Sequence, residues 1–437
     1  MASDVFRAGA AREIITPPVG TALFGYAPDV ISTSVHDDLT VTAAAFERGE
    51  NRTILVSAAL CELSDELADE LREKIAAAAG IDFDEVIVCA THTHSGPTTV
   101  ELTGWGPLNR EYCDTILVPR AVKAGGDAWK SRIPAKMGIG TIESKVGINR
   151  RQITPKGEVI LGQNPHGTFD PTMTILAFRG AEGNEPILNL VHYGCHGTAA
   201  GRNHEITRDW SGVMIDRLEA ESGTMTVFFN GAIGDTGPRL TNGRTTGNIQ
   251  YVRELGAVAA QDAVTCWRTI YDYRTDVAVK TVSGDISLPY QPLPPESEVD
   301  EQIAWFRANH DVNNLINLTG LKYDHLLRIK AHYESGAPAE TAFTFRQTLA
   351  AIGPALFIPF PYEIFSAVTL RLREYSKFRH TLSLSCCNGA HAYFPSRDQI
   401  PLGGYEVMTS RAADVFNLTD DADNHIILQN LKLIESL

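Results

Sequence analysis

Two histidines separated by one residue, His92 and His94, come directly after the apolar run from Glu85 to Ala90. On an extended backbone, side chains two residues apart point to the same side, so both imidazoles can reach one point. Neutral imidazoles that converge at the end of a strand are suited to binding zinc. An isolated pair of this kind also occurs in ordinary polar loops, so the motif alone leaves a structural role open.

A second histidine motif, His192-Tyr193-Gly194-Cys195-His196-Gly197-Thr198, ends the apolar run that begins at Ile187. Small residues around His196 allow the backbone to approach an ion or a substrate closely. We therefore predict His196 as a metal ligand and His192 as a structural residue. Cys195 and His196 could form a nucleophile and its base, but adjacent side chains on a strand point apart, which favours a buried, unreactive cysteine.

The elements that must position these motifs alternate between strand and helix. Strands are predicted at Thr53 to Leu60 and Glu85 to Ala90 around a helix from Leu63 to Ala79, and again at Ile187 to His192 and Thr226 to Asn230 around a helix from Trp210 to Glu221. This order predicts βαβ units in an α/β fold, with mixed β-sheets flanked by helices. Both histidine motifs then follow strands, where open α/β sheets place their sites.

The segment from Pro294 to Thr348 opens with prolines and acidic residues and then shows helical apolar spacing, which predicts a helical insertion at 294–348. Strand character returns at Ala355 to Pro359. No solenoid repeat or low-complexity linker interrupts the sequence. We therefore predict a single catalytic domain over residues 1–437, with a subdivision near residue 290 as the alternative.

The composition restricts the partners of the protein. A formal net charge of −15 disfavours nucleic acid and anionic membranes and favours a small neutral or cationic substrate. No apolar run is long enough for a signal peptide or a membrane span, which predicts a cytoplasmic protein without stable membrane anchoring. The seven cysteines show neither a disulfide framework nor a zinc-binding pattern. A homo-oligomer stays open.

Two hydrolase classes that use a histidine pair of this spacing do not fit the sequence. The metallo-β-lactamase type needs an aspartate and a third histidine shortly after the pair, but Ser95-Gly96-Pro97 supplies neither. The TIM-barrel amidohydrolases carry the pair on their first strand, whereas the predicted strand from Thr53 to Leu60 comes earlier here. A different family is therefore needed to explain the motifs.

Most of the chain resembles the neutral, non-lysosomal ceramidase family, whose motifs occur here in order. Before the helical insertion, the matching segments are Arg12 to Pro18, Gly25-Tyr26-Ala27, His36-Asp37, His92 to Pro97, Gly147 to Arg150, His196-Gly197-Thr198, Asp209 to Gly212 and Asn230 to Asp235. After it, they are Pro361-Tyr362-Glu363, the helix with Arg371 and Arg373, Asn388 to Tyr393 and Gly403 to Glu406. The resemblance implies the fold of that family's catalytic domain, without the carboxyl-terminal immunoglobulin-like module of the larger ceramidases.

The resemblance implies a zinc ion held by His92, His196, Glu363 and Tyr393. Two imidazoles, a carboxylate and a phenolate are all acceptable ligands for zinc. Glu363 has apolar neighbours in the sequence, where an unpaired carboxylate costs several kcal/mol and a cation would offset that cost. Without the resemblance, Tyr393 alone would be read as a half-buried tyrosine on a strand.

Further roles follow from the same resemblance. His94 is expected to act as general base or proton shuttle, while Arg150 and Tyr405 are expected to stabilise the oxyanion. Asp235 and Asp209 are expected to orient imidazoles through hydrogen bonds. A role at the start of a helix is an equal alternative for Asp209.

The sequence departs from the family at one important position. The family carries a serine two residues after the aspartate of its glycine-aspartate motif, and this chain has Gly237 there. Thr236 is adjacent, but a shift by one residue would normally turn its hydroxyl away. If that serine were essential, the protein would bind a metal or a ligand without turnover. The alternative needs no protein hydroxyl, because zinc lowers the pKa of a bound water to about 7.

The intact metal set favours the second account, and the predicted function is zinc-dependent amidohydrolysis. The expected substrate is a small soluble molecule with an amide-type carbon–nitrogen bond, which attack by the metal-bound water would cleave. A zinc-dependent esterase or lactonase is the close alternative. A catalytically silent ceramidase-like protein that binds a metal or a ligand is the alternative of a different class.

Overall fold

The protein was analysed as a computed structural model that describes residues 4–102, 105–312, 314–315 and 317–437. Its strands, in chain order, are β1 Arg7–Ile14, β2 Ser34–Val35, β3 Thr40–Arg48, β4 Asn51–Ala58, β5 Val86–Ala90, β6 Ile133–Glu143, β7 Gly147–Ile153, β8 Val159–Asn164, β9 Thr172–Gly180, β10 Pro186–Tyr193, β11 Glu205–Ile206, β12 Thr226–Asn230, β13 Thr236–Pro238, β14 Val279–Pro289, β15 Ala342–Ile352, β16 Ala355–Pro359, β17 Tyr362–Ile364, β18 His380–Leu384 and β19 His391–Phe394. Its helices are α1 Asp65–Ala79, α2 Arg110–Tyr112, α3 Val118–Lys130, α4 Asp209–Ser222, α5 Ile249–Arg268, α6 Glu296–Asn309, α7 Asn317–Ser335, α8 Ser366–Tyr375, α9 Tyr405–Ser410 and α10 Ala422–Ser436.

The largest sheet in the described part of the chain has eight strands, in the order β12-β10-β9-β6-β1-β3-β4-β5. Strand β4 is parallel to β5, and β10 is parallel to β12, while the other neighbours are antiparallel. Each parallel pair is connected through a helix, as β4–α1–β5 and β10–α4–β12. The predicted α/β fold with mixed sheets and flanking helices is therefore confirmed.

The two edges of this sheet approach each other, which brings the ends of distant strands together. Ser57 Oγ on β4 donates to Phe228 O on β12 at 2.5 Å. At the end of β12, Asn230 Nδ2 donates to the carbonyl oxygens of Thr91 at 2.8 Å and Cys195 at 3.0 Å. Because Thr91 follows β5 and Cys195 follows β10, the two histidine motifs leave the sheet at the same place.

The core that holds these strands is built from fully buried aromatic and aliphatic side chains. Phe46, Phe178, Leu190 and Phe357 are buried in one cluster that joins the large sheet to the sheet of β14, β15, β16 and β18. Each such side chain contributes about 1.5–3 kcal/mol of hydrophobic stabilisation. The cluster contains residues from both sides of position 290. The extent of a single domain over 1–437 stays a prediction.

The predicted helical segment contains α6 and α7, which bury a small apolar cluster around Val299, Phe306 and Leu326. Its predicted end at Thr348 is wrong, because β15 begins at Ala342. From Phe343 onward, aromatic and polar residues alternate with the period of a strand, and this run pairs with β14 in antiparallel register. No helix in the described ranges is long and apolar enough to cross a bilayer.

One pair of cysteines forms a disulfide that the sequence analysis did not predict. Cys89 on β5 is joined to Cys387, and their Cα atoms lie 4.1 Å apart. The two residues are 298 positions apart in sequence, so their spacing gave no signal. Disulfides are uncommon in the reducing cytosol, and the cytoplasmic location stays a prediction.

Candidate metal centre

The backbones that follow β5 and β10 run side by side and bring two histidines together. Thr93 forms a parallel β-bridge with Gly197. A Cβ atom at position 197 would lie 2.5 Å from His92 O, so this close approach requires glycine. His92 has a φ of 65°, an uncommon conformation for a non-glycine residue that clusters at functional sites. The ring centroids of His92 and His196 are 4.6 Å apart.

Glu363 and Tyr393 come from two short parallel strands, β17 and β19, on which they face each other as Cα partners. Both side chains are buried. Glu363 Oε2 lies 2.9 Å from His196 Nε2 and 3.4 Å from His92 Nε2. The structure thus gathers ligand atoms of His92, His196 and Glu363 within 4.8 Å of one another, with Tyr393 on the adjacent strand.

The hydrogen bonds of the two imidazoles decide which of their nitrogens carry protons. His92 Nδ1 lies 2.9 Å from Cys61 O, and His196 Nδ1 lies 2.7 Å from Ile233 O. A carbonyl oxygen only accepts hydrogen bonds, so each Nδ1 is the donor, and each ring in its neutral form presents an Nε2 lone pair. These lone pairs face the Glu363 carboxylate, whose buried Oε2 accepts no hydrogen bond from the described residues. Two imidazole nitrogens and a carboxylate oxygen are ligand types that zinc accepts, so the donor set fits a divalent metal ion.

The protonation states of these groups also suit metal binding. Burial alone would raise the pKa of Glu363, but the neighbouring His92 and His196 outweigh it and hold that pKa well below its ordinary value. Burial, followed by the charge of Arg150, lowers the pKa of His196 to about 3. At neutral pH, Glu363 is therefore ionised and His196 is neutral, as metal ligands must be. Burial alone would lower the pKa of His92, but Cys61, Cys386 and Glu363 outweigh it and raise that pKa well above its ordinary value, so metal binding would release a proton from His92.

His94 lies against the same group of side chains. Its Nε2 is 3.1 Å from His92 Nε2, and its ring packs against Tyr26 with 5.1 Å between ring centroids. Burial and the charges of His92 and His196 lower the pKa of His94 well below its ordinary value, so its imidazole is neutral. The buried Nδ1 of His94 has no hydrogen-bond partner among the described residues. Its role as a proton carrier stays a prediction.

Arg150 and Tyr405 border the candidate metal centre from another side. Arg150 Nη1 donates to His196 Nε2 at 2.9 Å, and its Nε donates to Glu406 at 2.8 Å. Arg150 Nη2 is buried and forms no hydrogen bond within the described ranges, which leaves a donor for a bound molecule. Tyr405 is partly exposed, and its ring centroid is 5.7 Å from that of Tyr393.

The predicted role of Asp235 in orienting an imidazole is wrong. The Asp235 carboxylate accepts from Ser366 N at 2.9 Å and from Ser366 Oγ at 2.7 Å, at the first residue of α8. The backbone carbonyls of Cys61 and Ile233 orient the imidazoles instead. Sequence alone gave no sign of this exchange, because every residue carries the same backbone carbonyl group.

Asp209 does not orient an imidazole either. Its carboxylate accepts from the backbone N–H groups of Ala199, Ala200 and Trp210 at 3.1, 2.8 and 2.7 Å. Asp209 is the first residue of α4, so the alternative role at the start of a helix is the observed one. The bonds from Ala199 and Ala200 also hold the loop after His196 against the start of α4. The carbonyl oxygen of His196 itself accepts from Trp210 Nε1 at 2.9 Å.

Comparison with known proteins adds the fold family. No model of a protein family and no curated protein matches this sequence. The crystal structure of neutral ceramidase from Pseudomonas aeruginosa superposes with a TM-score of 0.74 at 18% identity, covering 99% of this chain and 75% of that one. The fold is that of a neutral ceramidase. A ceramidase complexed with C2 superposes with a TM-score of 0.73 at 15% identity, covering 98% of this chain and 75% of its own.

The ceramidase fold confirms the resemblance that was inferred from the order of the motifs. At these identities, the likeness establishes the fold, while activity has to be argued from the site. The ceramidase-like strands β5, β10, β17 and β19 are the elements that carry or precede His92, His196, Glu363 and Tyr393.

Position 237, where the resemblance places a serine, lies on β13 next to the candidate metal centre of this ceramidase-like fold. The preceding residue, Thr236, accepts a hydrogen bond at its carbonyl from His196 N at 3.1 Å. A Cβ atom on Gly237 would lie 2.8 Å from Thr245 Cβ and 2.9 Å from Thr245 Cγ2. Thr245 therefore occupies the space that a side chain at position 237 would need.

Sequence reasoning missed two carboxyl groups near the site. Glu406 is fully buried and accepts from Arg150 at 2.8 Å and from Arg151 Nη1 at 2.7 Å. Two consecutive arginines on a buried strand were the available signal for such a partner. Glu62 lies within 4.8 Å of His92, and burial together with the charge of Glu363 raises the pKa of Glu62 to about 7.

The two residues of the second motif that were predicted to be structural lie away from the converging ligand atoms. His192 Nε2 lies 2.9 Å from Ser383 O within the sheet. The Cys195 thiol points to His196 O at 3.6 Å instead of to the imidazole ring, and burial raises its pKa well above the ordinary value. Neither residue has the geometry of a nucleophile or a metal ligand.

Proposed function

We propose that this protein is a zinc-dependent hydrolase that cleaves an amide-type carbon–nitrogen bond of a small substrate. The observation that carries the proposal is the convergence of the Nε2 atoms of His92 and His196 on the ionised carboxylate of Glu363, with all three ligand atoms within 4.8 Å of one another. Arg150, which donates to His196 Nε2, is the protein cation at this group. A divalent cation among the three ligand atoms would coordinate the carboxylate and both imidazoles directly.

Tyr393 is proposed as the fourth ligand. It lies opposite Glu363 on the neighbouring strand and is buried. Burial and then the charge of Glu363 raise the pKa of Tyr393 well above its ordinary value, so without an ion it stays a neutral phenol. A cation beside both groups would reverse the second effect and favour the phenolate.

When bound, zinc supplies Lewis acidity and a nucleophile at neutral pH. The neutral imidazole of His94 can accept a proton near the candidate ligands and pass it to the leaving amine. The free Nη2 donor of Arg150 and the hydroxyl of Tyr405 are proposed to bind the carbonyl oxygen of the substrate as negative charge develops on it. Each such donor is typically worth about 3–4 kcal/mol of transition-state stabilisation.

The amide specificity rests on the shared fold. The two solved structures are named as ceramidases, and a ceramide contains an amide bond. The same residues could also cleave an ester or a lactone, because both reactions place negative charge on a carbonyl oxygen. Because Thr245 fills the space beside Gly237, the proposed reaction uses no serine nucleophile at that position.

The proposal can be tested with zinc-loaded protein and a mixture of small amides, esters and lactones, with products identified by mass spectrometry. We expect cleavage of an amide that stops after chelation and returns after zinc is added. His92→Ala should abolish zinc binding and turnover, while His166→Ala, at an exposed histidine, should preserve both. Products from esters or lactones alone would reassign the bond, and zinc binding without any product would support the silent binding protein.

A further inference from the structure

A cavity of about 240 Å³ lies beside α1, β15 and β19, and the proposed reaction does not use it. Its lining combines carboxylates, aromatic rings and amides. The residues that the argument below uses are Asp65, Asp69, Arg72, Phe343, Phe345 and His391.

The pair of strands β17 and β19 separates this cavity from the candidate metal centre. The pairing shifts register between Tyr362 and Glu363, so that Tyr362 opposes His391 and Glu363 opposes Tyr393. Side chains two apart on a regular strand share a face, but this bulge lets His391 line the cavity while Tyr393 lies beside Glu363.

In the loop before β19, consecutive residues also face different sites. Cys386 Sγ lies 3.5 Å from His92 Nδ1, while the next residue, Cys387, lines the cavity. The cavity is therefore a separate compartment with one layer of backbone between it and the imidazole of His92.

The basic side chains at the cavity are already occupied by protein groups. Arg72 donates through Nε to Val86 O at 3.0 Å, through Nη1 to Asp69 Oδ1 at 3.2 Å and through Nη2 to Thr348 at 3.3 Å. Arg346 is paired with Asp84 at 2.5 Å. His391 is paired as well, because its Nε2 faces Asp65; against the effect of burial, this carboxylate raises the pKa of His391. Within the described lining, each of these cationic groups therefore has a protein carboxylate as its partner.

One acid of the lining, Asp69, has an oxygen atom that no described residue engages in a hydrogen bond or an ion pair. Asp65 accepts from Ala390 N at 3.0 Å and faces His391 Nε2 at 2.9 Å, so both of its oxygens are engaged. Within the described ranges, Asp69 forms an ion pair with Arg72 through Oδ1, its side chain is 54% exposed, and its Oδ2 is left for a ligand. Burial, with smaller contributions from the charges of Asp65 and Glu73, raises the pKa of Asp69 against the opposing effect of Arg72, so a further cation would favour its carboxylate.

The other wall of the cavity is aromatic. The centroids of Phe343 and Phe345 are 5.7 Å apart in a stacked arrangement, and Phe343 lies 4.5 Å from the ring centroid of His391. Ring faces attract both an apolar group and an ammonium ion. A carboxylate and aromatic rings in the lining of one cavity are a suitable environment for an amine attached to a small apolar or aromatic body.

We propose that this cavity is a second ligand site, specific for a small organic amine in its cationic form. The ammonium group binds at Asp69, and the apolar part packs against Phe343 and Phe345. The site is distinct from the candidate metal centre, because the strands β17 and β19 lie between the two.

Isothermal titration of the full chain with benzylamine at pH 7 tests this proposal, with benzyl alcohol as the neutral probe of the same shape and benzoate as the anionic one. We expect benzylamine to bind at least about tenfold more tightly than benzyl alcohol, and benzoate not to bind. Equal binding of the amine and the alcohol, or no binding of the amine, would overturn the proposal without any variant being made.

Variants then locate the site. Asp69→Asn keeps the acceptor for Arg72 and should remove the preference for the amine, while Glu73→Gln, an exposed change of charge on the same helix, should retain it. His92→Ala should lose zinc and still bind benzylamine, and Asp69→Asn should do the opposite. Loss of benzylamine binding in folded His92→Ala protein would place the amine at the metal centre and overturn the proposal.

Discussion

A Cβ atom on Gly237 would lie 2.8 Å from the Cβ atom of Thr245, closer than two non-bonded carbon atoms approach in proteins. Threonine at position 245 is therefore compatible with glycine at position 237 and not with a side chain there. Because the contact involves the Cβ atom of Thr245, rotation of that side chain cannot relieve it. A side chain at position 237 needs a smaller residue at position 245.

This relationship predicts the effect of restoring a serine. We expect Gly237→Ser to lower the free energy of unfolding by about 1–3 kcal/mol, as overpacking in a core does. Combining it with Thr245→Gly should recover most of that loss, whereas Thr245→Ala keeps the clashing Cβ atom and should recover less. Urea denaturation of the parent, the single variants and both double variants measures this coupling. A Gly237→Ser protein as stable as the parent would contradict the steric argument.

Much of the fold could be predicted from local sequence patterns. The runs before His92 and His196 are apolar and end in glycine-containing motifs, and the structure confirms both as parts of βαβ units. The end of the helical segment was misplaced, because the strand pattern from Ala342 begins immediately after helical spacing and its partner β14 is distant in sequence. Antiparallel pairing over such a separation is not visible in a local pattern.

The candidate ligand residues were predicted from the sequence, but the hydrogen bonds that orient them were not. His92, His196 and Glu363 have residue types that indicate metal binding, whereas the partners of their rings are backbone carbonyls with no residue signature. The role of Asp235 failed for the same reason, because any buried aspartate near a histidine looks like an orienting group until its contacts with Ser366 are known.

The buried pair of Arg150 and Glu406 should be important for stability. Both side chains are almost fully buried, and Glu406 also accepts from Arg151. Removing one partner of a buried ion pair typically costs about 3–5 kcal/mol, because the other charge stays buried. We expect Glu406→Gln to lose about 3 kcal/mol in chemical denaturation, and Glu435→Gln, at an exposed position, to change stability by less than about 0.5 kcal/mol.

Asp235 should make stability depend on pH in a defined direction. Burial raises its pKa in the folded protein to about 6, from an ordinary value of about 3.9. The protonated form is favoured on folding, so this contribution to stability is complete below pH ~4 and is lost as the pH rises through about 6. A difference of about 2 units corresponds to about 3 kcal/mol.

Asp235→Asn cannot titrate and provides the reference for this effect. The stability of the parent minus that of the variant should decrease by up to about 3 kcal/mol between pH 4 and pH 7. Urea denaturation of both proteins across this range measures the difference and cancels the titration of other groups. A constant difference would show that Asp235 keeps an ordinary pKa despite its burial.

His94 should affect turnover more than metal binding. It contacts His92 at 3.1 Å but is not one of the three residues, His92, His196 and Glu363, whose ligand atoms converge. With a substrate identified, we expect His94→Gln to lower kcat by about 100- to 10,000-fold, the usual range for a lost general base, while zinc content stays stoichiometric. Loss of zinc together with activity would instead assign His94 to the ligand set.

Zinc should stabilise the folded protein only while Glu363 carries its charge. At a free zinc concentration 100 times the dissociation constant, mass action adds about 2.7 kcal/mol to the free energy of unfolding. Glu363→Gln preserves the shape of the side chain but leaves the two Nε2 lone pairs facing a neutral amide. Even an altered orienting partner typically costs a metal site about 10- to 100-fold in affinity, so a ligand should cost at least about 100-fold. The same zinc concentration would then add only about 0.4 kcal/mol. Scanning calorimetry with and without zinc measures both increments, with Glu435→Gln as the matched control; equal stabilisation of parent and Glu363→Gln protein would mean that the ion binds elsewhere.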